Sequence, residues 1–242
     1  MKTISVVCQK GGVGKTTTVI NVASVLSSKG FKTLIIDTAP QGNVSTYLNQ
    51  EKSNTEHTTT TDILEGEQNI NPLKVMKNLY LIPSDVDIKK HNSEKIIGGS
   101  KLKNIYKNDN INTFDIVLVD TPPTMSSLVQ EALSTADYYF IPSKPEFLAV
   151  EGVGQAMSFA KQTIAEVPHT NPVFLGVLLN QVDTRRASYL DFVSELKHIL
   201  ADKLFKTHIS QLTEIADSPF YAKTVLDFNE NSKARIEFEE LT

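Results

Sequence analysis

The chain has 242 residues, with 24 Lys and Arg against 28 Asp and Glu, a net charge of −4, 40% hydrophobic residues and one cysteine. Cys8 has no partner for an internal disulfide and leaves too few thiolates for a zinc or iron–sulfur cluster, and a pI near 5.8 argues against coating nucleic acid by bulk positive charge. No run approaches the roughly eighteen apolar residues of a membrane span, so the expectation is a cytoplasmic protein folding as one domain over residues 1–242 around a full hydrophobic core.

In chain order, Thr3–Cys8 reads as a buried strand, and a glycine-rich turn follows it. Thr16–Ser28 then carries Val19, Val22, Ala23 and Leu26 at helical spacing and stops at Gly30, as a helix C-cap does. Thr33–Asp37 is a second strand. Gln50–Thr61 lacks apolar periodicity and reads as an exposed connection ending in a helix cap at Thr61 or Asp62. Leu79–Pro83, Asp115–Asp120, Tyr138–Pro142 and Val173–Asn180 read as further strands. Leu190–Leu200 reads as a surface helix with Leu190, Val193, Leu196, Ile199 and Leu200 on its apolar side. This alternation predicts an α/β fold, a mostly parallel twisted sheet with helices on both faces.

The strongest chemical signal is Gln9-Lys10-Gly11-Gly12-Val13-Gly14-Lys15-Thr16-Thr17, placed where a strand ends and a helix begins. Glycines let backbone N–H groups turn toward phosphate oxygens, and the helix N-terminus adds partial positive charge. Lys15 supplies a point charge to the β- and γ-phosphates, and Thr16 offers a hydroxyl to Mg²⁺. The strict P-loop pattern has glycine where this chain has Gln9.

The variant Lys10-Gly11-Gly12-Val13-Gly14-Lys15-Thr16 resembles the deviant Walker A motif of the ParA/MinD superfamily of P-loop NTPases. Four further stretches extend the likeness over nearly the whole chain. Asp37-Thr38-Ala39-Pro40-Gln41-Gly42-Asn43 is similar to that family's Asp-x-Asp-Pro-Gln-Gly-Asn, and Ile116–Asp120 with Thr121-Pro122-Pro123 to its Walker B. Tyr139–Pro142 with Glu146, and Leu178–Asp183, resemble its Pro-x-x-Pro-Glu segment and its base-recognition strand end. The order and size suggest the small ParA type without an N-terminal helix-turn-helix.

The resemblance implies an ATPase with ATP and Mg²⁺ as cofactors. Gly11, Gly12, Val13, Gly14, Lys15, Thr16 and Thr17 would cradle the phosphates, with Pro142, Asn180 and Asp183 completing the nucleotide site. Lys10 would reach across a homodimer to the partner's nucleotide, and Thr16, Asp37 and Asp120 would hold the metal shell. The amide of Asn180 has the donor and acceptor needed to read an adenine edge. The catalytic set implied is Lys10, Lys15, Asp37 and the aspartate that this chain replaces with Ala39. A methyl neither orients water nor accepts a proton, so binding survives while turnover suffers. The intact surroundings make Ala39 read as a deliberate substitution that traps the ATP state.

A ParA-like protein is further expected to dimerise with ATP, bind DNA without sequence preference on the nucleoid, and answer to a ParB-type centromere-binding protein. Family analogy places the DNA surface at Arg185, Arg186, Lys206, Lys223, Lys233 and Arg235. The densest basic run lies elsewhere, with eight lysines between Lys74 and Lys107 against Asp85, Asp87 and Glu94. A MinD-like membrane ATPase is disfavoured, since Arg235–Thr242 is acidic and short of apolar anchors. An iron-protein-like reductase lacks cluster ligands, and a nucleotide-locked scaffold remains the non-enzymatic alternative.

Overall fold

The computed structural model describes every residue except 51–55, 94–95, 97–98, 147–148 and 187. Seven strands form one sheet: β1 (Lys2–Val6), β2 (Thr33–Asp37), β3 (Leu73–Met76), β4 (Leu79–Ile82), β5 (Ile116–Asp120), β6 (Tyr138–Ser143) and β7 (Val173–Leu179), in the spatial order β3-β4-β2-β5-β1-β6-β7. All neighbours are parallel except the edge pair β3–β4, which is antiparallel. The helices are α1 (Lys15–Ser28), α2 (Asn43–Tyr47), α3 (Thr60–Glu65), α4 (Asp109–Asn112), α5 (Ser127–Thr135), α6 (Ala149–Glu166), α7 (Ser188–Leu200), α8 (Thr213–Asp217) and α9 (Lys233–Leu241).

The two-residue period of the strands sorts the core between the faces of the sheet. Ile35, Leu118, Phe140 and Leu178 pack with Val19, Ile20 and Ala23 of α1 and with Ala234 and Phe238 of α9. Their neighbours face the other way. Tyr139, Ile141, Val177 and Leu179 meet α5, α6 and α7, while Leu34, Ile36, Val117 and Val119 meet Ile63, Leu64, Ile88, Leu102, Ile105 and Phe114. The fold is therefore the expected α/β architecture, and the buried apolar residues of α9 are committed to the core. No described helix is long and apolar enough to cross a membrane.

Three local expectations are corrected. The edge strand β3 is absent from the sequence reading because its four residues are short and only partly buried, with no apolar run to mark them. The helix after the long connection is capped by Thr59, not Thr61 or Asp62: Thr59 Oγ1 accepts from Asp62 N, and the Asp62 carboxylate accepts from Thr59 N at 2.8 Å, a reciprocal capping box. On α7 the buried side chains are Phe192, Leu196 and Leu200, whereas Leu190 and Ile199 are exposed. Phe192, which the helical spacing passed over, packs in the core beside Leu196 and Leu200.

Candidate nucleotide site

The carboxyl ends of β1, β2 and β5 lie side by side, where an open parallel sheet places its ligand crevice. The loop from Gln9 to Gly14 leaves β1 there and enters α1. Gly12 and Gly14 take φ of +71° and +84°, conformations that favour glycine. Val13, between them, is buried in the core and anchors the loop. The loop is also held from β7: Asn180 Nδ2 donates to Val13 O at 2.8 Å and to Thr18 Oγ1 at 3.3 Å, and Gln181 Nε2 donates to Gly12 O at 2.9 Å. Asn180 Oδ1 in turn accepts from Gln181 N. Its amide thus braces the loop within this chain.

Lys15 is buried, and its Nζ donates to Lys10 O at 3.3 Å. Burial holds its ammonium below the ordinary lysine range, against the opposing pull of Cys8 and Asp120. Asp37 and Asp120 are also fully buried. Thr16 Oγ1 donates to Asp120 Oδ2 at 2.6 Å, and Asp120 Oδ1 has no hydrogen-bond partner. Burial lifts the Asp120 carboxyl above its usual range, partly offset by the Thr16 hydrogen bond and by Lys15. A threonine hydroxyl beside an orphaned buried carboxylate oxygen fits a hard divalent cation such as Mg²⁺. The Asp37 carboxylate accepts from Ala39 N at 2.8 Å and Val44 N at 3.2 Å.

A cavity of about 390 Å³ opens over this group, with Gly11, Lys15, Thr16, Ala39, Thr121 and Gln181 in its wall. A second cavity of about 190 Å³ shares Gly14, Thr17 and Gln181 with it and continues to Ser210, Leu212, Ile215 and Pro219. The two together suit an elongated polar ligand with an apolar end. The wall from Ser210 to Pro219 escaped the sequence reading because nothing local to it marks a long-range neighbour of the loop. Of the other expected residues, Pro142 is buried in β6 opposite Leu178, two positions beyond the last β1–β6 pair, and Asp183 grips Arg185 at 2.8 and 3.0 Å. Neither is among the residues lining these cavities.

Lys10 bonds within its own chain, Nζ to Glu146 Oε2 at 2.5 Å, and this contact pulls the Glu146 carboxyl below its usual range. Lys144, which the sequence reading passed over, brings its Nζ to 3.9 Å from the place where a Cβ on Gly12 would stand. Of the six basic residues expected at DNA, Arg185 and Arg186 adjoin in the turn after β7, Lys233 and Arg235 share α9, and Lys206 and Lys223 stand apart from both pairs in the chain. Arg185 is paired with Asp183, Lys233 with Glu237, and Arg235 with both Glu239 and Glu230. Lys206 and Lys223 are exposed, with Lys223 over the Tyr221 ring. In the basic run, Lys95 lies outside the described residues.

Residues 1–172 match the family model described as "AAA domain". The chain is 31% identical to the chromosome partitioning protein ParA of Caulobacter vibrioides, over 93% of this chain and 86% of that one. Its fold superposes with a TM-score of 0.82 on a Borrelia burgdorferi protein assigned to plasmid partition and bound to AMPPNP, at 24% identity, covering 99% and 96% of the two chains. It also superposes at 0.82 on an aspartate-to-alanine variant of Cyanothece McdA in complex with ATP, at 19% identity over 100% and 95%.

Proposed function

The chain belongs to the ParA family of partition ATPases, and from that premise we propose that it is an ATP-operated DNA-partition protein in which the ATP state is long-lived. ATP with Mg²⁺ closes two copies into a sandwich dimer. The dimer binds DNA without sequence preference and associates with the nucleoid, and a ParB-type protein resets it by stimulating hydrolysis. The single observation that carries the nucleotide step is the buried group of Lys15, Thr16 and Asp120 at the mouth of a glycine loop. The Lys15 ammonium and the N–H groups from Gly11 to Thr16 bind phosphate oxygens, while Thr16 and Asp120 are the metal-holding side chains. Bound Mg²⁺ would neutralise charge on the β- and γ-phosphates.

Ala39 supports the slow reset. It lines the phosphate cavity with a methyl, and its backbone N–H is tied to Asp37. The deciding experiment is co-sedimentation with DNA in ATP, in ADP and without nucleotide. Binding is expected only with ATP, to persist after excess nucleotide is removed, and to fall steeply with salt whatever the DNA sequence. Binding without nucleotide, or none at all, overturns the reading.

A further inference from the structure

We propose that Tyr47 is a positioning residue of the nucleotide site, tying the segment beside the phosphates to the wall at the ligand's apolar end, so that a ligand held at one end tightens the other; this rests on the nucleotide site described above. Gln41 and Asn43 line the larger cavity, and Asn43 is the first residue of α2. That helix is little more than one turn, closed by Thr46 N on Gly42 O at 3.2 Å and Leu48 N on Val44 O at 3.0 Å, so Asn43 and Tyr47 belong to one stiff piece. Its far end meets a segment 171 positions along the chain. Tyr47 and Ser218 are both buried, with their hydroxyl oxygens 2.5 Å apart.

The direction of this hydrogen bond follows from the protons available. Ser218 Oγ donates its one proton to Ile215 O at 2.8 Å, so the Tyr47 hydroxyl is the donor and Ser218 Oγ its acceptor. Burial pushes the Tyr47 pKa above its ordinary value, which keeps the donated proton in place. The relay ends on the second cavity, because Ile215 and Pro219, on either side of Ser218, stand in its wall with Leu212 and Ala216. One hydroxyl therefore joins the piece that carries Asn43 at the phosphate cavity to the piece that carries Ile215 and Pro219 at the apolar end. Asn21 of α1 acts on the same hydroxyl and accepts from Val225 N at 2.8 Å, which braces the junction against the helix that begins in the phosphate loop. The Tyr47 ring packs in the core with Val44 and Leu48, space that a phenylalanine ring fills equally. What the hydroxyl adds is the relay.

Hydrogen exchange read by mass spectrometry, in Mg²⁺ with tripolyphosphate, with ATP and without ligand, tests this on the unaltered protein, Tyr47→Phe and Ser218→Ala. Tripolyphosphate suits the phosphate cavity and has no sugar or base with which to touch the far wall. In the unaltered protein it is expected to slow exchange at residues 9–17 and also, by about two- to tenfold, at residues 212–219, the effect of one hydrogen bond on a local opening. In either variant the slowing at 9–17 remains and that at 212–219 is lost. ATP touches both walls itself and protects both segments in all three proteins, which shows that the variants are folded and bind. If tripolyphosphate protects 9–17 but leaves 212–219 unchanged in the unaltered protein, or slows 212–219 equally in the variants, the proposal is overturned and the nucleotide site stands. If tripolyphosphate leaves 9–17 unprotected, the phosphate reading of the loop and this proposal fall together.

Discussion

Asp37 and Asp120 are partners in register at the carboxyl ends of β2 and β5, both fully buried, yet their oxygens are used in opposite ways. Asp37 accepts two backbone N–H groups of the 39–44 turn, whereas Asp120 holds the Thr16 hydroxyl with one oxygen and leaves the other bare. Removing the first carboxylate strands two buried donors, so Asp37→Ala should cost about 2–4 kcal/mol in urea denaturation without nucleotide. Asp120→Asn keeps the Thr16 contact and removes a buried charge whose burial Thr16 and Lys15 offset only in part. It should leave the nucleotide-free protein as stable or more so, while weakening Mg²⁺-dependent ATP binding. Equal destabilisation by the two variants would contradict this division of labour.

Gly14 and Asn180 are coupled through space. A Cβ on Gly14 would meet Asn180 Nδ2 at 2.3 Å, and the φ of +84° strains any other residue there. Gly14→Ala must therefore displace the amide that holds Val13 O, and a loss of about 2–3 kcal/mol is expected. Asn180→Ala also destabilises on its own. In the double variant the clash is gone and only the backbone strain and the lost hydrogen bonds remain. The two losses should then be less than additive by about 1 kcal/mol in a double-mutant cycle. Simple additivity would show that the two residues are not in contact.

What the sequence made legible follows the same physics. Six of the seven strands announce themselves, because a strand buried on both faces is a continuous apolar run such as Leu34-Ile35-Ile36 or Ile116–Val119. The half-buried β3 has no such run. The phosphate loop is legible because its function depends on local geometry, glycines and a helix start, that contiguous residues encode. Gln181 and Lys144 reach that loop from 169 and 132 positions away in the chain, and no local pattern encodes such an approach. The expected roles of Lys10 and Asn180 came from family likeness, which could not anticipate that Glu146 and Val13 engage them within one chain.

At alkaline pH the weak point is Tyr106, on the far side of the sheet. Its hydroxyl contacts Thr3 Oγ1 at 2.8 Å and the Thr135 carbonyl, and burial, reinforced by Asp137, pushes its pKa up to about 12 from 10.0. Between those values the unfolded chain has released the proton while the folded one keeps it. The folded state binds more protons, so stability falls as pH rises through this window, by about 2 kcal/mol at its upper end. Denaturant midpoints taken across the window should decline more steeply for the unaltered protein than for Tyr106→Phe. Parallel declines would refute the assignment.

Restoring a carboxylate at position 39 tests the proposed long-lived ATP state directly. Ala39 is nearly buried, lines the phosphate cavity, and is oriented by the hydrogen bond from its own N–H to Asp37. A side chain added there projects from a turn that Asp37 already fixes, so the change from methyl to carboxylate alters chemistry with little change of backbone. The carboxylate of Ala39→Asp can accept a hydrogen bond from water next to the bound phosphates, an interaction for which the methyl has no acceptor. Positioned general-base assistance is worth about 10²-fold or more, so steady-state ATP turnover should rise by that order in Ala39→Asp. The same variant should release DNA soon after excess ATP is removed, whereas the unaltered chain stays bound. Its nucleotide-free form should be slightly less stable, because a third carboxylate joins Asp37 and Asp120. Equal turnover would mean that position 39 does not limit hydrolysis and that ATP only sets the assembly state of the protein.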